Sequence, residues 1–170
     1  MNFSLPNVDG RTISLDNYPD AKGFIIVFTC NHCPYAVAYE LRLKEIHDRF
    51  AGRGFPLIAI SSNDVTKYPQ DSFDLMKVRA EQRGFQFPYL YDESQEVAHA
   101  YGAVKTPHVF VTVKDSDNWE VKYSGSIDDN YQNAKAVRER YLDDAVEALL
   151  AGEEVAVKET LPVGCTVKWR

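Results

Sequence analysis

Cys30 and Cys33 stand three positions apart, with Asn31 and His32 between them. Two thiols at that spacing can close a disulfide or supply half of a metal site. The stretch before them, Gly23 to Thr29, is short, apolar and rich in β-formers without alternation. This predicts a strand buried on both faces. The stretch after them, Pro34 to Phe50, carries Ala36, Tyr39, Leu43, Ile46 and Phe50 at gaps of three and four, one helical stripe. The pair therefore falls where a strand ends and a helix begins. Free amides and a partial positive charge at a helix start favour a thiolate, which is the nucleophilic form. On this reading Cys30 is the exposed, attacking sulfur. Cys33 is the shielded one inside the first turn, where Pro34 is tolerated because its missing N–H does no harm. A partly charged His32 imidazole would add to thiolate stabilisation. A stabilised reduced form makes the disulfide a better oxidant.

The second piece is Thr106-Pro107, directly before the predicted strand Val109 to Val113. A cis peptide there would turn the backbone of Thr106 toward the sulfurs, where an extended substrate segment could pair with it as an added strand. Other readings compete. Zinc wants four ligands, and beyond Cys30, His32 and Cys33 only Cys165 and scattered histidines remain, so no metal is expected. His47 and His99 fall within helical runs and read as packing or solvated residues. His108 reads as a strand-start residue that could touch the site. Asn63 and Asp64 leave a strand at the sheet edge that also holds Cys30, and read as loop or cap residues. Cys165 reads as a bystander, with a resolving thiol as the alternative.

These residues need a frame. Phe3 to Leu15 reads as a hairpin turning at Asp9-Gly10. Pro56 to Ser61 reads as a second buried strand. Helices are predicted over Gln70 to Arg83, Glu93 to Tyr101 and Ala134 to Leu150, the last with Val137, Tyr141, Ala145 and Ala148 on its inner face. Phe87 to Tyr91 reads as an edge strand, and Val109 to Val113 with Trp119 to Tyr123 as a hairpin. The 152–170 tail is mixed. Strands alternating with helices imply an α/β domain spanning residues 1–170, with a central mixed sheet flanked by helices and an N-terminal β-hairpin extension.

The chain has 170 residues and a net charge of −6, without a Lys/Arg-rich run. That charge disfavours nucleic acid and anionic membrane as partners. The longest apolar run, Phe24 to Phe28, is far too short to span a bilayer. Met1 to Pro6 does not read as a signal peptide, so a cytoplasmic location is expected. An odd count of three cysteines is not a disulfide scaffold, and in a reducing compartment a C-x-x-C pair is expected to be catalytic or metal-binding.

The F-x-x-C-x-x-C-P arrangement, the later Thr-Pro and the opening F-x-L-P-x-x-D-G-x-x-x-S-L together resemble the thioredoxin superfamily. The likeness is greatest to its TlpA-like and peroxiredoxin-like branch (redoxin, AhpC/TSA-type). Thr29 to Tyr35, Ser61 to Asp64 and Gly164 to Trp169 are similar to peroxiredoxin-like thioredoxin-family proteins. The resemblance implies a thioredoxin fold, Cys30 as nucleophile, Cys33 as resolving cysteine and Pro107 as a cis proline. Two departures stand out. The proline and hydroxyl that a peroxiredoxin places before its cysteine fall on Gly23 and Val27 counting from Cys30, and on Ile26 and Cys30 counting from Cys33. The residue before the first cysteine is Thr29, where thioredoxins usually carry Trp, and Gly23 to Phe28 holds no carboxylate. Either disulfide reduction is slow, or another group takes the second thiol's proton. The expected activity is thiol–disulfide exchange with a protein or small-molecule disulfide and an external thiol reductant, without a cofactor. A thiol peroxidase and a non-enzymatic redox sensor are the alternatives.

Overall fold

Alternate side chains of the first buried strand decide the layering. The structure, a computed structural model, describes residues 1–170. It opens with the antiparallel hairpin β1 (Ser4–Pro6) and β2 (Thr12–Ser14), turning at Gly10 with φ +89°. Then follow β3 (Gly23–Thr29), α1 (Pro34–Phe50) and β4 (Leu57–Ser61). Next come α2 (Phe73–Arg83), β5 (Tyr89–Tyr91), α3 (Glu96–Tyr101) and β6 (Lys105–Thr106). The chain closes with β7 (His108–Asp115), β8 (Asn118–Gly125), α4 (Tyr141–Leu150) and β9 (Cys165–Thr166).

The main sheet has five strands in the order β5-β4-β3-β7-β8. β3 runs parallel to β4, and β4 to β5, while β7 and β8 are antiparallel additions. This is a mixed sheet in a thioredoxin fold. From β3, Ile25 and Val27 enter a core with Tyr39, Leu43, Ile46 and Phe50 of α1, Met76 of α2, and Leu142, Ala145 and Val146 of α4. Phe24, Ile26 and Phe28 face the other way, into a core with Phe3, Ile13 and Leu15 of the N-terminal hairpin region and Val97 and Ala98 of α3. Both faces of β3 are covered, which is why its sequence lacks alternation. Each such fully buried side chain contributes about 1.5–3 kcal/mol. No helix is long and apolar enough to cross a membrane.

Four elements differ from expectation; the helix expected from Glu93 starts at Glu96. The helix expected from Gln70 starts at Phe73: Pro69–Asp71 forms a separate 3-10 turn, and the Ser72 side chain accepts the Leu75 amide at 3.2 Å as a cap. The helix expected from Ala134 to Leu150 keeps only Tyr141–Leu150, after a short 3-10 turn at Ala134–Ala136. The Asp129 carboxylate accepts the Arg138 amide at 2.9 Å, and the Asp129 amide donates to the Glu139 carbonyl at 3.2 Å. The 137–140 backbone is thereby tied to the loop after β8, a local side-chain bond outcompeting helix. The buried stripe of α4 is Leu142, Ala145 and Val146, not the one through Val137 and Ala148. The mixed tail supplies β9, which pairs antiparallel with β6 so that Cys165 lies opposite Thr106.

Candidate active site

Cys30 follows the last residue of β3, and Cys33 is the N-cap of α1, with φ −64° and ψ 125° and Pro34 at the first helical position. Across from them the Thr106–Pro107 peptide is cis. The Cys30 thiol reaches the Thr106 hydroxyl at 3.7 Å, and the Cys33 thiol the Thr106 carbonyl at 3.4 Å. The structure thus brings Cys30, Cys33, Thr106 and Pro107 together, with Cys30 and Cys33 as free thiols.

Exposure departs from expectation. Cys30 is not an open, attacking sulfur; it is 2% exposed, and Cys33 is 0% exposed. Charge departs from it as well. The neighbouring Cys33, burial and the Asp71 carboxylate all push the Cys30 thiol up. Cys33 is drawn down to about 4, first by the Cys30 thiol and then, against the cost of burial, by the Cys165 thiol and the Ala36 amide. A proton on Cys33 would serve one acceptor, the Thr106 carbonyl. A charge there is served by two thiols and an amide at the helix start, so the charge wins. The reduced pair therefore loses its first proton below the ordinary thiol range, with Cys33 the sulfur drawn down. Cys165 is half-buried, packs against the pair and is pushed up to about 11, by burial and then by Cys33.

His32 does not simply lend charge to a sulfur. Its Nδ1 lies 2.5 Å from Asp71 Oδ2, and its ring stacks on Tyr68 with centroids 5.4 Å apart. Asp71 is fully buried and reaches the site from the 3-10 turn before α2. Its Oδ1 accepts the Asn31 and His32 amides at 2.9 and 3.2 Å, and its Oδ2 also accepts the Asn63 amide group at 3.0 Å. Asn31 is held in turn by the Tyr89 hydroxyl, which donates to its Oδ1 at 2.8 Å. One ligating atom each from Cys30, His32 and Asp71 lies within 4.8 Å of the others. Each Asp71 oxygen in that trio already faces two protein nitrogens, which compete with a metal for the carboxylate.

Asp71 was outside the sequence-level candidates. Its only local signal is a Pro two residues earlier, ordinary for a helix start, and nothing in the spacing links it to Cys30. Asn63 and Asp64 do more than cap a loop. The Asn63 Oδ1 accepts the Lys168 amide at 2.9 Å, and the Asp64 amide donates to the Lys168 carbonyl at 2.7 Å. Asn63 thus links the tail to Asp71. His99 stacks on Trp169 of the same tail at 4.1 Å. His47 accepts the Leu57 amide, a packing role. His108 accepts the Val104 amide on Nδ1 at 3.3 Å, which leaves the ring hydrogen on Nε2 for Ser124 at 3.2 Å.

The family model described as AhpC/TSA family matches residues 1–125. No curated protein matches the chain. Among solved structures, an uncharacterized conserved protein from Geobacillus kaustophilus is 37% identical with a TM-score of 0.91, the match covering 100% of this chain and 89% of that one. A hypothetical protein from Sinorhizobium meliloti 1021 is 33% identical with a TM-score of 0.89, covering 100% of this chain and 92% of that one. The pneumococcal exposed lipoprotein thioredoxin Etrx1 from Streptococcus pneumoniae strain TIGR4 is 20% identical with a TM-score of 0.65, covering 89% of this chain and 99% of that one, a likeness of fold.

Proposed function

The chain belongs to the AhpC/TSA family of thioredoxin-fold redox proteins, and on that premise we propose that it is a thiol–disulfide oxidoreductase working through a Cys30–Cys33 couple. The observation that carries this reading is that both sulfurs, three residues apart at a strand-to-helix junction, converge on one residue, Thr106. The ionised sulfur of the reduced pair attacks a substrate disulfide and forms a mixed disulfide. Its neighbour displaces the product, leaving Cys30–Cys33 oxidised and the substrate as two thiols. An external thiol reductant then resets the pair. No cofactor beyond the sulfurs takes part.

β3 lacks the carboxylate that would accept the second thiol's proton. We assign that part to His32, within 4.8 Å of Cys30, held in position by Asp71. Thr106 and Pro107 form the wall against which a substrate segment rests. The Thr106 edge itself is filled by β9, so backbone pairing of a substrate there, as the sequence suggests, requires the tail to give way. The cytoplasm suits a couple whose cysteines must be returned to thiols.

The test is insulin reduction driven by a low-molecular-weight thiol, comparing wild type with Cys30→Ser and Cys33→Ser. Loss of activity in both variants is expected; activity equal to wild type in either removes the reading.

The family match itself favours a second reading, a thiol peroxidase in which Cys30 becomes a sulfenic acid and Cys33 resolves it. Here the Thr106 hydroxyl, 3.7 Å from Cys30, stands where a hydroxyl preceding the cysteine is lacking. Stopped-flow consumption of hydrogen peroxide separates the two. A rate no faster than that of free cysteine dismisses the peroxidase.

A further inference from the structure

The exchange proposed above leaves an access problem. Cys30 and Cys33 are both buried, so a substrate disulfide reaches them only when the tail gives way, and a bulky reductant meets neither sulfur while β9 is in place. The third cysteine is differently placed. Cys165 is half-buried and packs against Cys30, Cys33 and Ala36. Its strand, β9, pairs with β6 in a register that sets Cys165 opposite Thr106. Residues directly opposite in an antiparallel pair project to the same face. Thr106 sends its hydroxyl to Cys30, so Cys165 projects to that side too.

The tail is seated firmly enough to hold this position. A Cβ on Gly164 would come within 2.1 Å of the Thr106 carbonyl oxygen, an approach only glycine permits. Beyond Cys165, the Val167 amide donates to the Val104 carbonyl at 3.0 Å. Gln95 Nε2 donates to the Lys168 carbonyl at 2.9 Å. The tail lies along the edge that an extended substrate would take, with its own cysteine next to the pair.

Resting on the proposed Cys30–Cys33 couple, we infer that Cys165 is a third redox-active thiol, which moves the disulfide from the fully buried pair outward to Cys33–Cys165. In that step the Cys165 thiolate attacks Cys33 of the oxidised pair. The Cys33–Cys165 bond forms, the Cys30–Cys33 bond breaks, and Cys30 leaves as a thiolate that takes up the proton Cys165 gave. One disulfide replaces another, so no oxidant or reductant is consumed. An external dithiol then attacks Cys165, the less buried sulfur. Cys33 leaves, and the second thiol of the donor frees Cys165, so two electrons pass from dithiol to protein. The ready ionisation of Cys33 suits it to be the leaving sulfur in this last exchange.

The test maps disulfides. Reduced wild type, Cys30→Ser and Cys165→Ser are treated with one equivalent of diamide. They are then quenched in acid, blocked with N-ethylmaleimide and digested without reductant for mass spectrometry. Wild type is expected to hold Cys33–Cys165 alongside Cys30–Cys33. Cys30→Ser is expected to form Cys33–Cys165 within one chain. Oxidised Cys165→Ser is expected to hold Cys30–Cys33, and an unstructured peptide carrying two cysteines should reduce it about tenfold or more slowly than wild type. The wild-type map does not depend on any variant folding. If Cys33–Cys165 is absent from wild type and from Cys30→Ser while Cys165→Ser still forms Cys30–Cys33, the third-thiol role is overturned and the couple stands. If Cys165→Ser forms no Cys30–Cys33, the couple itself fails and this inference with it.

Discussion

Replacing Asp71 by Asn keeps the shape of the side chain and removes its charge, and the structure sets the size of the effect. A carboxylate oxygen of Asp71 lies within 4.8 Å of the Cys30 sulfur. A unit charge at that distance, in an effective dielectric of about 20, acts on a thiolate with about 3.5 kcal/mol. The two loop amides, Asn63 and His32 already absorb part of that field. Cys33 also draws the charge away from Cys30; if about two-fifths of the field reaches the pair, its reduced, ionised form gains about 1.4 kcal/mol in Asp71→Asn, because the disulfide carries no charge for Asp71 to repel. A stabilised reduced form means a more oxidising couple, and 1.4 kcal/mol corresponds to about 30 mV. The expected result is a potential higher by about 30 mV, with the Cys30 thiol titrating lower. The assay equilibrates each protein in glutathione buffers of graded ratio and counts alkylated thiols by intact mass. The variant also loses its bond with His32 and places an amide group against Asn63, so a melting curve must show that it remains folded. A potential unchanged or lowered in a folded variant would refute the reasoning, for Asp71 would then not act on the sulfurs at all.

Other consequences can be checked as directly. Burial, which penalises the charged ring, lowers the His108 pKa to about 4 from 6.5. Between those two values the unfolded chain binds a proton that the native state refuses. Stability should therefore rise with pH across that window and fall as acid is added, by about 3 kcal/mol in all. Denaturant melts of His108→Gln should lack that slope, and a slope equal to wild type would contradict the assignment. Reduced protein should show the 240 nm absorbance of one thiolate down to about pH 4, lost in Cys33→Ser and kept in Cys165→Ser. Gly164→Ala drives a methyl group into the Thr106 carbonyl and should lift β9 off β6, at a cost of about 1–3 kcal/mol. Faster alkylation of Cys33 in that variant is the readout, and an unchanged rate would mean that the tail does not shield the pair.

The sequence alone determined the parts of this protein that local spacing can encode. The apolar run Gly23 to Thr29, with no alternation, reads as a strand covered on both faces, and the Ala36-to-Phe50 stripe at gaps of three and four as a helix with one buried side. Cys30 to Cys33 had to fall between them. The opening hairpin, written in Asp9-Gly10 and the alternation after it, was legible for the same reason. Tertiary structure decided everything carried by distant neighbours. Asp71 reaches His32 only because parallel pairing of β3 with β4 brings the loop after β4 beside the loop after β3. Cys165 reaches Cys33 only because a two-residue strand, too short to announce itself, binds the tail to Thr106. The start of α4 was misread because Asp129, across a loop, holds the Arg138 amide more effectively than a helical turn would. Even the sulfur that carries the charge was a matter of packing. A helix start favours any thiolate near it, and burial, Asp71 and Cys165 chose between the two. Such contacts follow from which surfaces the whole chain can bury together, and that choice leaves no period in the residues that make them.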